Sequence, residues 1–276
     1  MASSFRFGFG DAADDDDRVE AVQGSPAAGA FVAHFEEVAP PNRTSTSAPS
    51  QVVRVASWEF RQTVFDRRQL SDEYASLKAL LHASDLLPNV YEGGFKLWEC
   101  AVDLVQYLQA NAVDLSGMQV MDLGCGHGLP GIFALSHGAA RAVFQDLNAS
   151  VLQHVTIPNA SANRCLRGAR FLAGDWRDDR LVSAACADGQ FDMVFSCDTL
   201  YSAATYPSLV RMIDRCLKRD GIAFVAAKTY YFGVGGSVQA FLDTVNQADG
   251  ALHGAVIATL EDGQSNIREI VEIRKR

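Results

Sequence analysis

The chain has 276 residues, 48% of them hydrophobic and 21% charged, a globular balance with enough length to bury a core without disulfides or metal. Its longest clean apolar run, Ile222 to Ala227, falls far short of the roughly 20 residues of a membrane-spanning helix, so no membrane association is expected. A formal net charge of −9 argues against nucleic acid as a direct partner, because that affinity rests on neutralising phosphates.

The negative charge is concentrated at the start. Residues 1–50 hold eight acids, among them Asp14 to Asp17, against three arginines. No period of 2 or 3.6 persists there, and the composition predicts a disordered, acidic, low-complexity tail over 1–50 followed by one domain over 51–276. Within the tail Phe5, Phe7 and Phe9 alternate, the spacing of a short docking strand. The six cysteines form no C-x-x-C pair and no His stands at zinc-finger spacing, so neither a metal site nor a disulfide framework is expected. No basic stretch leads into an apolar one at the start. A reducing compartment, cytoplasmic or nuclear, and a monomeric state are expected.

Weak alternation around Val53 and Val55 predicts strands within 51–70, and Ser71-Asp-Glu opening onto Leu77, Leu80 and Leu81 predicts a helix over 71–87. From residue 97 helices and strands alternate. The spacing predicts a helix over 97–109, a strand over 118–123, a helix over 129–137 stopped by Gly138, and a strand over 142–145. A helix follows over 151–163, a strand over 170–173, a helix over 181–186, a strand over 191–197 and a helix over 206–217. The chain closes with a strand over 221–227, a helix over 238–246, and strands over 256–260 and 267–273 joined by Glu261-Asp-Gly-Gln. This α/β order predicts a seven-stranded, mostly parallel, Rossmann-like sheet with one antiparallel strand near an edge. Ligands of such sheets bind beyond the carboxyl ends of the strands.

The first core strand runs into Asp122-Leu-Gly-Cys-Gly-His-Gly128. Gly124 and Gly126 permit a tight turn and close approach by a ligand. A dinucleotide fingerprint requires Gly at 129, where Leu129 stands. Asp122 would repel a pyrophosphate but suits the sulfonium and ammonium of S-adenosylmethionine. Asp146 ends the second strand, where an acid accepts ribose hydroxyls. Gly174-Asp175-Trp176 ends the third, where Asp175 suits the adenine amine and Trp176 the ring edge. After the fourth strand, Asp198 and Tyr201 stand where methyl donor and acceptor meet, although Asp198 also reads as a helix cap. The Asn/Asp-Pro-Pro-aromatic motif of amide and base methylation is absent. Trp98 and Glu99 open the helix preceding the core. Tyr230-Tyr-Phe-Gly-Val-Gly-Gly236 follows the fifth strand, its glycines allowing close approach by an acceptor backbone.

Tyr91-Glu-Gly-Gly-Phe-Lys-Leu-Trp-Glu-Cys100, Asp122-Leu-Gly-Cys-Gly126, Phe144-Gln-Asp-Leu-Asn148, Thr156-Ile-Pro-Asn159 and Tyr231-Phe-Gly-Val-Gly-Gly236 together resemble the eukaryotic protein-histidine methyltransferases of the seven-β-strand class. The resemblance covers about residues 84–245. It implies an S-adenosylmethionine-dependent fold and transfer of a methyl group to a histidine of a large-subunit ribosomal protein. It also implies a cofactor pocket at Trp98, Glu99, Cys100, Gly124, Gln145, Asp146, Leu147, Gly174, Asp175, Trp176 and Ser196, beside Asp122 and Gly126 read from the loop itself. Two departures stand out: Ser196-Cys-Asp-Thr-Leu-Tyr201 replaces the family's Ser-Glu-Thr-Ile-Tyr, and Leu147 replaces a common Tyr. Asp-x-x-Tyr is shared with related lysine methyltransferases, so a lysine acceptor remains open, as does a ribosome-assembly factor that binds the cofactor without turnover.

Overall fold

Runs of apolar residues fill the middle of the central strands, the pattern of strands buried on both faces. In the computed structural model, which describes residues 34–41, 49–65, 93–247, 251–263 and 265–276, these runs form the middle of one sheet. They are β4 (Gln119–Leu123), β5 (Arg141–Asp146), β6 (Ala169–Gly174), β7 (Phe191–Cys197) and β8 (Leu217–Lys228), all parallel. Two further strands, β9 (Leu252–Leu260) and β10 (Arg268–Lys275), complete one side, with β10 antiparallel to both of its neighbours.

Successive side chains sort to opposite faces. Val120, Ala142, Phe144, Phe195, Phe224 and Ile270 join one core, while Met121, Val143, Val194, Val225 and Val271 join the other. The first core lies under α1 (Glu99–Ala110) and α2 (Leu129–Ser136). It also lies under a helical segment made of α3 (Ala149–Val151), a π-helical stretch Leu152–Thr156 and α4 (Ile157–Ala162). The second core is covered by α5 (Asp179–Ala185), α6 (Tyr206–Cys216) and α7 (Val238–Gln247). A separate hairpin, β2 (Ser50–Val55) and β3 (Trp58–Thr63), adds Val53, Val55 and Phe60 to the first core.

The sheet has eight strands rather than seven. The extra strand, β1 (Phe35–Glu37), runs antiparallel along β6, pairing Phe35 with Gly174 and Glu37 with Leu172. It lies inside the segment expected to be a disordered tail, which is therefore drawn too long. Three residues are too few to carry a period; β1 is held by the open edge of β6 and by Arg170, whose Nε and Nη2 donate to the two carboxylate oxygens of Glu37, each at 3.1 Å. The rest of the expected tail, apart from 34–41 and 49–50, and the expected helix over 71–87 lie outside the described residues.

The strand order β1-β6-β5-β4-β7-β8-β10-β9 sets the site. The chain leaves β4 toward β5 and β6, then returns to the other side of β4 for β7 and β8. The carboxyl end of β4 is therefore the switch point at which loops diverge and a crevice opens. Among the described residues no helix is long and apolar enough to cross a membrane.

Candidate active site

The loop after β4 turns through Gly124 at φ +63° and Gly126 at φ +46°. A Cβ on Gly124 would stand 2.7 Å from the Thr199 side chain and 3.6 Å from Trp176; only glycine keeps this passage open. Beyond it is a cavity of about 430 Å³, within the usual size of a small-molecule site. Its wall includes Trp98, Asp122, Gly124, Gly126, Gln145, Asp146, Leu147, Gly174, Asp175, Trp176, Asp198 and Tyr201.

Gln145, at the penultimate position of β5, braces three of these loops. Its Nε2 donates to the Gly174 carbonyl at 2.8 Å, and its Oε1 accepts from Trp176 Nε1 at 2.7 Å and from the Gly124 amide at 3.3 Å. The backbone carbonyl of Gln145 accepts from the Cys125 amide at 2.8 Å. Its side-chain oxygen is thus spent on the wall, and Gln145 acts mainly by fixing the loops.

The three strand-end acids meet in one cleft. Asp122 is buried, accepts the Gly131 amide at 3.0 Å, and is pushed up to about 8 by burial, with nearby Asp146 adding to the rise. Asp146 accepts the amides of Gly126 and Asn148 at 3.0 and 3.1 Å. Asp175 is clasped by Arg177, whose backbone amide and Nε donate to Oδ1 at 2.7 and 2.8 Å and whose Nη2 donates to Oδ2 at 2.7 Å. Burial raises the Asp175 carboxyl, but the Arg177 contacts outweigh it and hold it below the ordinary range.

At the other end of the cavity Asp198 sits at φ +56°, a conformation uncommon outside glycine. Its Oδ2 accepts the Cys100 amide at 3.1 Å, and its Oδ1 accepts the Tyr231 hydroxyl at 2.9 Å. The first bond caps α1, whose own N-cap residue, Trp98, offers no side-chain cap. Asp198 therefore caps a helix remote in sequence rather than the next one, and it also lies on the cavity wall. Tyr201 packs edge-on to Tyr231, ring centres 6.5 Å apart. Trp98 donates to the Gly93 carbonyl at 2.9 Å, with Lys96 Nζ 4.6 Å and Lys228 Nζ 5.4 Å from its ring centre.

Three expected contacts are not on the cavity wall. Glu99 follows Trp98 around the first turn of α1 and points outward, its carboxylate 45% exposed and 3.9 Å from Arg268. Cys100 is fully buried and serves through its backbone amide, not its thiol, which burial pushes well up. Ser196 lies behind the wall, donating to the Leu123 carbonyl at 3.1 Å with its Oγ 2.8 Å from Thr199 Oγ1.

His127 is a wall residue that motif spacing did not identify. Its Nε2 is 3.2 Å from the Phe95 carbonyl, and its Nδ1 lies 3.2 Å from Gln62 Nε2 and 3.3 Å from Asn159 Nδ2. Burial lowers it to about 4, so at neutral pH it is an uncharged strut between the glycine loop, β3 and α4.

A family model described as "Lysine methyltransferase" matches residues 88–246. The histidine protein methyltransferase 1 homolog of Dictyostelium discoideum is 40% identical over 198 residues, covering 71% of this chain and 62% of that protein. The rat homolog, from Rattus norvegicus, is 35% identical over 205 residues, 65% of this chain and 56% of that protein. A Streptococcus mutans structure assigned as a SAM-dependent methyltransferase superposes with a TM-score of 0.56 at 12% identity, over 84% of this chain and 57% of that one, a likeness of fold. The chain spans 62% and 56% of the length of the two curated relatives.

Proposed function

The chain belongs to the lysine methyltransferase family, and on that premise we propose that it is an S-adenosylmethionine-dependent protein methyltransferase whose acceptor is a histidine imidazole nitrogen. One observation carries the reading: a single cavity joins the acids Asp122, Asp146 and Asp175 at one end to Asp198 and Tyr201 at the other. The residues fit the cofactor. Asp122, starved of a counter-charge, suits the cationic methionine end; Asp146 suits the ribose; the passage beside Gly124 is the space a Cβ would fill. Histidine, rather than lysine, follows from the names of the relatives at 40% and 35% identity and from the motif resemblance. A large-subunit ribosomal protein is the proposed acceptor.

When bound, S-adenosylmethionine supplies an electrophilic methyl group on a sulfonium. The chain's own part is to orient the acceptor, since proximity and alignment supply most of the rate. An imidazole attacks through its unprotonated nitrogen, so the other nitrogen must hold the proton. Asp198 takes that N–H: each of its oxygens already accepts one protein donor and retains capacity for another. The carboxylate thereby selects the tautomer and stabilises the imidazolium product. Tyr201 packs beside the ring, and Tyr231 keeps Asp198 from rotating.

The test is labelled cofactor with unmethylated ribosomal subunits, followed by acid hydrolysis and amino-acid analysis. Methylhistidine is expected. Methyllysine would overturn the acceptor and favour the second reading, which the Asp198-Thr-Leu-Tyr201 string supports. No transfer, with cofactor binding intact by calorimetry, would leave a binding protein without turnover.

A further inference from the structure

Two cysteines far from the cavity face each other across helix ends. Cys186 is the C-cap of α5 and Cys216 the last residue of α6. Their Sγ atoms are 3.5 Å apart. Cys186 is half-buried, whereas Cys216 is fully enclosed. Neither contributes to the cavity wall.

We propose that Cys186 and Cys216 are a peroxide-oxidised dithiol, a modification site that closes reversibly to a disulfide between the C-terminal ends of α5 and α6. Thiol–disulfide chemistry needs an accessible attacking thiolate and a resolving thiol in contact with it. Cys186 meets the first condition. The Cys216 contact and the cations of Arg141, Arg215 and Lys275 lower it to about 7 against the opposing effect of burial. The carboxylates facing the region are Asp188, paired with Arg141 at 3.0 Å, and Asp214, 3.6 Å from Lys275, so neither acid stands alone beside the thiol. Cys216 meets the second condition, its proton held firmly by the contact with Cys186 and by burial.

The step balances. The Cys186 sulfur attacks a peroxide oxygen, forming the sulfenic acid and releasing one water. The Cys216 sulfur then attacks the Cys186 sulfur, the S–O bond breaks, and the departing hydroxide takes the Cys216 proton as a second water. Two thiols are oxidised and one peroxide is reduced. Closing the bond draws the sulfurs from 3.5 Å to about 2.05 Å. Arg211, midway along α6, already ties that helix to the start of α5, donating to the Trp176 carbonyl and pairing with Asp179, each at 2.5 Å. The disulfide would add a covalent tie between the C-terminal ends of the same two helices.

The experiment treats the full chain with stoichiometric hydrogen peroxide and maps thiols by mass spectrometry. The expected product has lost about 2 Da, for two hydrogens, and yields a peptide linking Cys186 to Cys216. It melts at a higher temperature, and dithiothreitol reverses both changes. Cys186→Ser, at the accessible position, should abolish the linked peptide and the melting shift. Cys216→Ser should leave a sulfenic acid at Cys186 that dimedone traps; if that variant does not fold, Cys186→Ser still decides. Over-oxidation of Cys186 with no linked peptide, or a covalent dimer through Cys186, would overturn the proposal. None of these readouts depends on methyl transfer.

Discussion

Asp122 is a buried acid that accepts the Gly131 amide and has a second carboxylate, Asp146, nearby. Pushed up to about 8, it holds its proton at neutral pH, and a cationic ligand would displace that proton. Wild-type protein is therefore expected to release more protons per cofactor bound at pH 7 than Asp122→Asn does, and its affinity should climb with pH across the neutral range. Titration calorimetry in buffers of different ionisation heat measures this directly. Equal proton release by the two proteins would remove the ligand-facing role of Asp122. The sign for stability is the reverse: the folded chain binds the extra proton between the unfolded value of 3.8 and 8, so this group's contribution declines as pH rises through that window. At this scale the sequence was legible wherever a residue's place follows from a strand end, as with Asp122, Asp146 and Asp175. It was not legible for Glu99, Cys100 and Ser196. A motif string states which residues cluster, but a helix turns by about 100° per residue and a strand alternates its faces, so neighbours in the string point different ways. The bond from Tyr231 to Asp198, 33 positions apart, has no local signal at all.

Among the elements, the β2–β3 hairpin is joined to α4 by two asparagines one turn apart. Asn159 Oδ1 accepts the Thr63 amide at 2.7 Å; Asn163 accepts the Arg61 amide at 3.0 Å and donates to its carbonyl at 2.8 Å. His127 completes the joint through Gln62 and Asn159. Buried and uncharged, with its pKa lowered to about 4 from 6.5, His127 binds fewer protons in the folded chain than in the unfolded one. Stability should accordingly fall as pH drops from 6.5 toward 4, by up to about 3 kcal/mol. Denaturant unfolding of wild type and His127→Gln across pH 4–7 checks this, the variant giving the flatter acid limb. Periodicity located most elements within a few residues, because burial imposes it. It placed the start of β8 at 221 rather than at Leu217, since the polar Lys218, Arg219 and Asp220 hide the first paired residues. It also missed the π-helical turn Leu152–Thr156, whose hydrogen-bond shift leaves no mark on composition.

For the molecule as a whole, strand–helix alternation reveals the parallel sheet and its switch point, and with them the cleft. It does not reveal an edge strand recruited from upstream. Starting the chain at residue 42 removes β1, its Arg170–Glu37 pair and the cover on the β6 edge. The loss is expected to cost about 2 kcal/mol and lower Tm by roughly 4–8 °C, with concentration-dependent association through the freed edge. Scanning calorimetry and light scattering, with a chain starting at residue 34 as control, measure both effects. Asp198 carries a different consequence. Because the carboxylate proposed to face the acceptor also caps α1 from a left-handed backbone position, the proposed acceptor contact and helix stability share a codon. A lineage drifting toward another acceptor cannot replace this acid with an apolar residue without freeing a helix end. Asparagine, which still accepts an amide proton and tolerates positive φ better than other side chains, is the substitution by which such drift can begin.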